Sequence, residues 1–176
     1  MERVFTSAIW KEAVQGRVWA GVLGLVGDSV ANRKVHGGPD QALLGYPARH
    51  YQKWREEWKK DDLSAGAFGE NLTLSELTED SVCVGDVFRF GEVVVEVTKP
   101  REPCSTLARR HQRPDMIRLV QRNGRGGWYL RVKREGWLES GMLGALEDRP
   151  FPQWTARRAA LAIWRSEERR VGKECR

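Results

Sequence analysis

The alternation of apolar and polar positions along the chain predicts many short strands connected by glycine turns. The clearest signal covers Ser81–Phe90, where apolar and polar residues alternate. A second apolar run, Val93–Thr98, follows a break at Gly91 and Glu92, and the two segments predict a hairpin or two adjacent strands. Four shorter segments are also predicted as strands or turns, and they cover Val4–Trp10, Val18–Val26, Trp128–Lys133 and Met142–Leu146, the last two joined across Gly136–Gly141.

A helical period predicts a helix over Ala48–Lys59, because Tyr51, Trp54 and Trp58 are spaced three and four residues apart on one face. Shorter helices are predicted over Cys104–His111, Pro114–Gln121 and Thr155–Trp164, the last with Thr155 as its N-cap. Polar or glycine-rich loops and turns are predicted over Ala31–Pro47, Asp61–Gly69 and Asn123–Gly127. Many short strands with few helices are typical of a barrel or a sandwich.

The composition is that of a globular protein. The chain has 176 residues, of which 40% are hydrophobic and 31% are charged, which suits one domain with a core of its own and a short appendage. The longest weakly polar run, Ala20–Gly27, is far too short to cross a bilayer. The N-terminus shows no apolar stretch behind basic residues. We therefore expect a cytoplasmic protein.

The segment Arg165–Arg176 reads RSEERRVGKECR and shows neither apolar periodicity nor capping residues. It matches the translation of a common short-read sequencing adapter, so we predict that it is an assembly artefact and that the natural C-terminus is missing. The alternative is a solvated basic tail. The formal net charge of the chain is +6, and this segment contributes part of it with five basic and three acidic residues. The rest of the chain is therefore only mildly basic, which favours nucleic-acid binding only slightly.

The chain lacks the sequence motifs of several common enzyme classes and binding sites. The chain contains no P-loop, no GxSxG nucleophile elbow and no dinucleotide-binding fingerprint in a strand–turn–helix context. Its cysteines, Cys83, Cys104 and Cys175, include no CxxC pair, and its three histidines form no HExxH motif. A disulfide framework and a zinc finger are therefore excluded. We assign Cys83 to packing and give His50 and His111 no chemical role.

Cys104 is the first candidate for chemistry. It follows the residues PREP at the end of a predicted strand, with Arg101 close by and Arg109 and Arg110 a turn or two further on. Cationic neighbours favour the thiolate form of a cysteine, and a thiolate can act as a nucleophile or as a ligand to a soft metal. The alternative is a buried structural cysteine behind a proline-rich turn.

Two further segments carry candidate binding residues. In KVHGGPD, Gly37 and Gly38 let backbone amides approach a ligand, and Lys34 and His36 add positive charge. This arrangement suits a phosphate or another anion, and the alternative is a flexible surface loop. In FGEN, Asn71 and the preceding glutamate can hold a ligand ring through paired donors and acceptors, or else they close an Asx-type turn.

Taken together, these segments resemble the MOSC domain in its bacterial YiiM-type branch. The matching stretches, in the same order and spacing over roughly residues 15–164, are KVHGGPDQALLGYPARHYQKW, AFGENLT, LTEDSVCVGDVFRFGEVVVEVTKPREPC and GWYLRV. The resemblance implies a mainly β fold, a distorted barrel with peripheral helices, over residues 1–150. It implies that residues 151–164 are the truncated start of a C-terminal helical domain, followed by the adapter-like residues 165–176.

The same resemblance implies an oxidoreductase that binds the molybdenum cofactor and reduces N-hydroxylated compounds, such as N-hydroxylated purines, to amines. Cys104 is the expected metal ligand and catalytic residue. The residues expected to lie near or hold the rest of the cofactor are Lys34, His36, Gly37, Gly38, Asn71 and Arg101. Because the chain shows no flavin or iron–sulfur motif, we expect its electrons to come from a separate reductase. The sequence leaves open whether the chain forms a homodimer.

Two other functions stay open on the sequence. One is a molybdenum-cofactor carrier or sulfurtransferase module with a persulfide on Cys104. So short a chain has no context for a pyridoxal-phosphate lysine, so the sulfur would come from a partner. The other is a nucleic-acid-binding barrel that uses a basic run, whose members are Arg109, Arg110, Arg113 and Arg118. We expect this run to be a solvated face or a lip that attracts anionic ligands, and we expect neither nucleic acid nor a membrane as a partner.

Overall fold

The computed structural model of the protein describes residues 8–29 and 37–174, with side chains up to residue 166. Within these residues the chain forms nine strands and four α-helices. The strands are β1 (Val18–Gly21), β2 (Gly24–Leu25), β3 (Leu43–Pro47), β4 (Leu72–Leu74), β5 (Val87–Phe90), β6 (Val93–Pro100), β7 (Trp128–Arg134), β8 (Gly136–Leu138) and β9 (Gly144–Asp148). The helices are α1 (Arg49–Trp58), α2 (Ser105–Arg110), α3 (Met116–Asn123) and α4 (Ala156–Glu174), and a 3-10 helix lies at Pro39–Gln41.

The strands form two sheets. The larger has six strands in the order β4-β3-β7-β6-β5-β9 and curls into a half-barrel, and the smaller has the order β2-β1-β8. Neighbouring strands pair antiparallel, except that β3 and β4 pair parallel. The predicted mainly β fold with peripheral helices is therefore confirmed.

The buried apolar side chains form two clusters, one between the sheets and one under the helices. In the first, Val93, Val95 and Val97 of β6 are fully buried, as expected for alternate residues of a strand with one face on the core. The second cluster surrounds Tyr46 and Phe68. It receives buried side chains from all four helices, namely Tyr51, Trp54, Leu107, Met116, Val120, Ala160 and Trp164.

Several local predictions are confirmed. The predicted helix over 48–59 forms as α1, and its apolar face buries Tyr51 and Trp54 and partly buries Trp58. The predicted hairpin forms from β5 and β6, which pair antiparallel. Thr155 caps α4, because its Oγ1 accepts a hydrogen bond from the Arg158 amide at 3.2 Å.

The loop predicted over 31–47 is wrong at its end. Leu43–Pro47 is strand β3, whose five residues are all buried between β4 and β7. A strand that is buried on both faces shows a continuous apolar run instead of alternation, so its period does not reveal it.

The strand predicted over 81–90 is also shorter than expected, since β5 begins only at Val87. Before it, the chain turns: Gly85 has a φ of 86° and the Asp86 Oδ2 accepts the Cys83 amide at 2.8 Å.

The strands predicted over 128–133 and 142–146 form as β7 and β9, but β8 intervenes between them in the chain. β8 pairs with β1 in the smaller sheet, and β6 and β5 separate β7 from β9 in the larger one. The helix predicted over 114–121 forms slightly later, as α3. The segment predicted over 4–10 lies mostly outside the described residues. The predicted domain boundary at residue 150 and the adapter origin of residues 165–176 stay predictions.

Candidate functional site

The structure gathers four of the predicted site residues around one cavity of about 170 Å³. Gly37 lies just before the 3-10 helix, Asn71 just before β4, Arg101 just after β6, and Cys104 just before α2. Segments that are far apart in sequence therefore meet at the same point. Lys34 and His36 lie outside the described residues, so their predicted roles stay predictions.

Cys104 is the N-cap residue of α2. Its backbone is extended, and its carbonyl oxygen accepts the amides of Leu107 at 3.1 Å and Ala108 at 3.3 Å. The thiol makes no capping hydrogen bond, and the residue is only half-buried at the cavity wall. A cysteine in this position keeps its sulfur available to a ligand in the cavity. Cys104 also packs against the apolar cluster under the helices, so its ligand role and its structural alternative both stay predictions.

Arg101 places a positive charge in the cavity wall and is 5% exposed. Its Nη1 donates to the Phe68 carbonyl at 2.7 Å, and its backbone amide donates to the Gly127 carbonyl at 3.0 Å. None of the ion pairs found among residues 8–29 and 37–166 includes Arg101. A buried guanidinium without a carboxylate partner is costly, and an anionic ligand would offset that cost.

Tyr129 of β7 lies beside these two residues in the cavity wall. Burial raises the pKa of the Tyr129 phenol, although the neighbouring Arg101 guanidinium partly opposes the shift. The phenol therefore stays neutral at ordinary pH and keeps an O–H that can donate a hydrogen bond into the cavity. Sequence analysis missed Tyr129, since its position in an apolar strand indicated packing alone.

Asn71 connects two parts of the wall. Its Oδ1 accepts the Leu44 amide at 2.9 Å and its Nδ2 donates to the Asp28 Oδ2 at 2.7 Å. The preceding Glu70 is 3% exposed and accepts the amides of Gly66 at 2.8 Å and Phe68 at 3.2 Å. Glu70 therefore holds the loop in shape. Asn71 lines the cavity, but both of its amide atoms already bind protein atoms, and its predicted contact with a ligand stays a prediction.

The two glycines of the predicted anion loop have left-handed backbones, with φ values of 82° at Gly37 and 84° at Gly38. L-residues with side chains rarely adopt this conformation, so glycine is required for the turn into the 3-10 helix. Gly37 lines the cavity. Gly38 does not, although its carbonyl accepts the Gln41 amide at 3.1 Å and so fixes that turn.

Five more polar side chains line the cavity and were missed from the sequence, namely Lys11, Asp28, Ser29, Gln41 and Thr106. Lys11 and Asp28 form an ion pair at 2.6 Å at one side. Gln41 contributes a carboxamide whose Oε1 is buried and has no hydrogen-bond partner within the described part of the chain. No local pattern singles these residues out, because each reaches the cavity only through the folding of distant segments.

The other residues considered in the sequence lie elsewhere. Cys83 is 2% exposed, its Sγ lies 3.5 Å from the Pro152 carbonyl oxygen, and burial raises the pKa of its thiol, so its assignment to packing is confirmed. The His50 Nε2 hydrogen-bonds the buried Glu79 Oε2 at 2.7 Å. Burial lowers the pKa of His111 to about 4, and its Nε2 donates to the Ala67 carbonyl at 2.9 Å.

The basic run is not a uniformly solvated face. The Arg110 Nη1 donates to the carbonyls of Gly66, at 2.8 Å, and of Ile9, and Arg113 pairs with Asp115 at 2.7 Å. No group of three or more His, Cys, Asp or Glu side chains among the described residues could hold a metal ion. In the same part of the chain, no helix is both long and apolar enough to cross a membrane.

A family model described as the MOSC domain matches residues 32–142. The chain is 40% identical over 160 residues to the protein YiiM of Escherichia coli, an alignment that covers 90% of this chain and 71% of that one. It is 50% identical over 115 residues to the uncharacterized protein YflK of Bacillus subtilis, and this alignment covers 65% of this chain and 52% of YflK. It is 37% identical over 153 residues to a protein named reductase from Gibberella moniliformis, which covers 85% of this chain and 27% of that protein.

The fold is similar to solved structures of the same kind. The crystal structure of YiiM from Geobacillus stearothermophilus superposes with a TM-score of 0.79 at 35% identity and covers 90% of this chain and 74% of that one. The crystal structure of YiiM from Escherichia coli superposes with a TM-score of 0.77 at 36% identity and covers 86% of this chain and 72% of that one. The chain thus spans about half of YflK, about a quarter of the fungal reductase and nearly three quarters of the YiiM proteins.

Proposed function

Since this chain belongs to the MOSC domain family, we propose that it binds the molybdenum cofactor at Cys104 and reduces N-hydroxylated compounds, such as N-hydroxylated purines, to amines. One observation carries the proposal. The same cavity is lined by a cysteine whose thiol makes no capping hydrogen bond and by a buried arginine that has no carboxylate partner among the described residues. A thiolate suits a soft, sulfur-ligated metal, and a guanidinium suits an anionic group. The reductase name of the fungal relative supports the reaction class.

The cavity residues fit such a group. Cys104 would supply the protein's sulfur ligand to the metal, and Arg101 would hold a phosphate, whose charge would balance that of the buried guanidinium. Gly37 would let the backbone approach the ligand closely. When bound, the cofactor would supply a redox-active metal suited to two-electron chemistry. Tyr129 keeps a neutral O–H near Arg101, from which it can orient a ligand by donating a hydrogen bond.

The proposed reaction balances with an external electron donor. The N–O bond of the substrate breaks, two electrons and two protons enter, and an amine and water leave. The electrons would come from a separate reductase protein, since the sequence carries no flavin or iron–sulfur motif. We also propose the cytoplasm as the compartment in which this reaction occurs.

The test is the molybdenum content of the full chain, measured by elemental mass spectrometry after expression in a host that makes the cofactor. We expect about one molybdenum per wild-type chain and at least a roughly tenfold lower content in Cys104→Ser, because the serine hydroxyl is a poor ligand for a soft metal. Cys83→Ser is the matched control, since Cys83 is buried outside the cavity and should leave the content unchanged. Equal molybdenum in Cys104→Ser and wild type would contradict the proposal.

The reaction itself is tested separately, by following the conversion of a hydroxylaminopurine to the aminopurine with a chemical or protein electron donor. Wild-type chain loaded with molybdenum should convert it, and Cys104→Ser should not. A stable extra sulfur on Cys104 by mass spectrometry, without any reductase activity, would instead favour the carrier or sulfurtransferase alternative.

A further inference from the structure

Gln41 ends the 3-10 helix and lines the same cavity as Arg101 and Cys104. Its backbone amide donates to the Gly38 carbonyl at 3.1 Å, so the backbone of the turn does not need the side chain. The side-chain carboxamide differs from the backbone in this respect. Its Oε1 is buried, and it has no hydrogen-bond partner among the residues that the structure describes.

Several other polar side chains of the cavity are already engaged. Asn71 uses both amide atoms within the protein, Lys11 and Asp28 pair with each other at 2.6 Å, and Arg101 donates to the Phe68 carbonyl. The Gln41 Oε1 accepts no hydrogen bond from the described residues. Gln41 thus brings to the cavity wall an acceptor oxygen that the described residues do not use.

A buried acceptor without a partner costs free energy that a donor from a ligand or a water molecule would recover. The last torsion of a glutamine side chain is broad, so the carboxamide can rotate to meet such a donor. A carboxamide carries an acceptor oxygen beside N–H donors. This pair is complementary to an amino group next to a ring nitrogen, which is how Asn and Gln recognise the edge of adenine.

Apolar side chains share the cavity with Gln41. Leu23, Ala42 and Leu44 supply apolar surface to the cavity, and apolar surface with a few polar groups is typical of sites for small organic ligands. We propose that the Gln41 carboxamide recognises the amino-substituted edge of a planar nitrogen heterocycle bound in this cavity. The inference deepens the proposed function and rests on it. Two ligands of that function carry such an edge, namely the pterin of the cofactor and an N-hydroxylated aminopurine substrate.

The experiment compares full-length wild type, Gln41→Met and Gln52→Met. Methionine keeps the size of glutamine and removes both polar groups. Gln52 is exposed on α1, where it hydrogen-bonds Glu56 at 3.0 Å outside the cavity, so Gln52→Met is the matched control. Binding is measured by titration calorimetry with pterin, hydroxylaminopurine and unsubstituted purine, which lacks the amino edge. Molybdenum content and thermal unfolding are recorded for all three proteins.

We expect Gln41→Met to weaken binding of an amino-bearing ring about tenfold, to leave purine binding unchanged and to keep the melting temperature. Weaker pterin binding together with lower molybdenum content would identify the cofactor as the source of the edge. Weaker hydroxylaminopurine binding with unchanged molybdenum would identify the substrate. Gln52→Met should match wild type throughout.

Three results would overturn the inference. They are an unchanged affinity in Gln41→Met, an equal loss for purine and for the amino-bearing rings, and a wild type that binds none of the three heterocycles. The first would mean that a water molecule satisfies Gln41, and the second that Gln41 acts by packing. The proposed function is judged separately, by the loss of molybdenum in Cys104→Ser, so a failure of the inference can be distinguished from a failure of the proposed function.

Discussion

The short loop after β6 carries the two residues on which the proposed chemistry depends. Arg101 and Cys104 are three positions apart, and Pro100 and Pro103 restrict the backbone before each of them. The Arg101 amide donates to the Gly127 carbonyl at 3.0 Å, and the Cys104 carbonyl accepts the first amides of α2. Hydrogen bonds therefore hold the backbone at both ends of the loop that carries the guanidinium and the thiol.

A second residue with a definite environment is His111, which packs against Trp58 and Phe68 with ring centroids 5.1 Å and 5.0 Å away. Burial lowers its pKa to about 4, while the hydrogen bond to the Ala67 carbonyl raises it and the charges of Arg110, Lys60 and Arg101 lower it further. Between about pH 6.5 and 4 the unfolded chain therefore binds a proton that the folded chain does not. Stability should fall as the pH falls through this window.

We expect His111 to account for a loss of about 1–2 kcal/mol in the free energy of unfolding between pH 7 and pH 4.5, after allowance for solvent around the partly exposed ring. Urea denaturation at several pH values measures this loss. The matched variant His111→Phe keeps an aromatic ring against Trp58 and cannot titrate, so its stability should depend less on pH than that of wild type. Parallel pH profiles for the two proteins would show that His111 is not responsible.

At the scale of elements, the entry into β7 brings the sheet and the cavity loop together. Gly127 precedes β7 with a φ of 76°, and a Cβ on it would lie 2.4 Å from the Gly45 carbonyl oxygen of β3. Real Cβ atoms do not approach a carbonyl so closely, so only glycine lets β3 and β7 pair at this point. Since the Gly127 carbonyl accepts the Arg101 amide, the position of the cavity loop depends on the same residue.

Gly127→Ala should therefore lower the free energy of unfolding by more than the cost of placing alanine in a left-handed backbone conformation. Gly141 is the matched control, because its φ is 86° and a Cβ on it would meet none of the described atoms within 4 Å. Denaturant titration should show a cost of about 1 kcal/mol for Gly141→Ala, from the left-handed backbone, and about 2 kcal/mol more for Gly127→Ala, from the close approach. Equal costs in the two variants would mean that the strands shift to accommodate the methyl group.

At the scale of the whole molecule, Glu79 connects elements that are distant in sequence. It is 2% exposed, its Oε2 lies 2.7 Å from the His50 Nε2 of α1, and its Oε1 accepts the Gly127 amide at 2.8 Å. Its backbone carbonyl accepts the Arg157 amide at 2.9 Å at the start of α4. One buried carboxylate thus joins α1 to the β7 entry at the boundary between the sheet and the helices.

We expect Glu79→Ala to lower the free energy of unfolding by about 3 kcal/mol, because it leaves both the His50 ring and the Gly127 amide without their partner in the interior. Glu76→Ala, at an exposed position three residues earlier, is the control and should cost little. A double-mutant cycle with His50→Ala measures the coupling, which should exceed about 0.5 kcal/mol. Strict additivity would mean that the two side chains do not support each other.

Much of the architecture follows from local pattern. The apolar face of α1, the β5–β6 hairpin and the Thr155 cap could all be predicted, because periodicity and capping depend on residues within a few positions of one another. Strand β3 could not, since burial on both faces removes the alternation that marks a strand. The order of β7, β8 and β9 could not either, because strand pairing depends on long-range contacts.

The same division holds for the candidate site. The sequence by itself determined that the chain has a thiol and a guanidinium three residues apart in a proline-stiffened segment, and that two glycines lie in a polar loop. Only the tertiary structure decided which contacts these side chains make. Asn71 accepts the Leu44 amide in the cavity wall, and Glu79 accepts the Gly127 amide. The buried Gln41 Oε1 has no hydrogen-bond partner among the described residues. These properties depend on neighbours dozens of positions away, and no local period encodes which of those neighbours will meet.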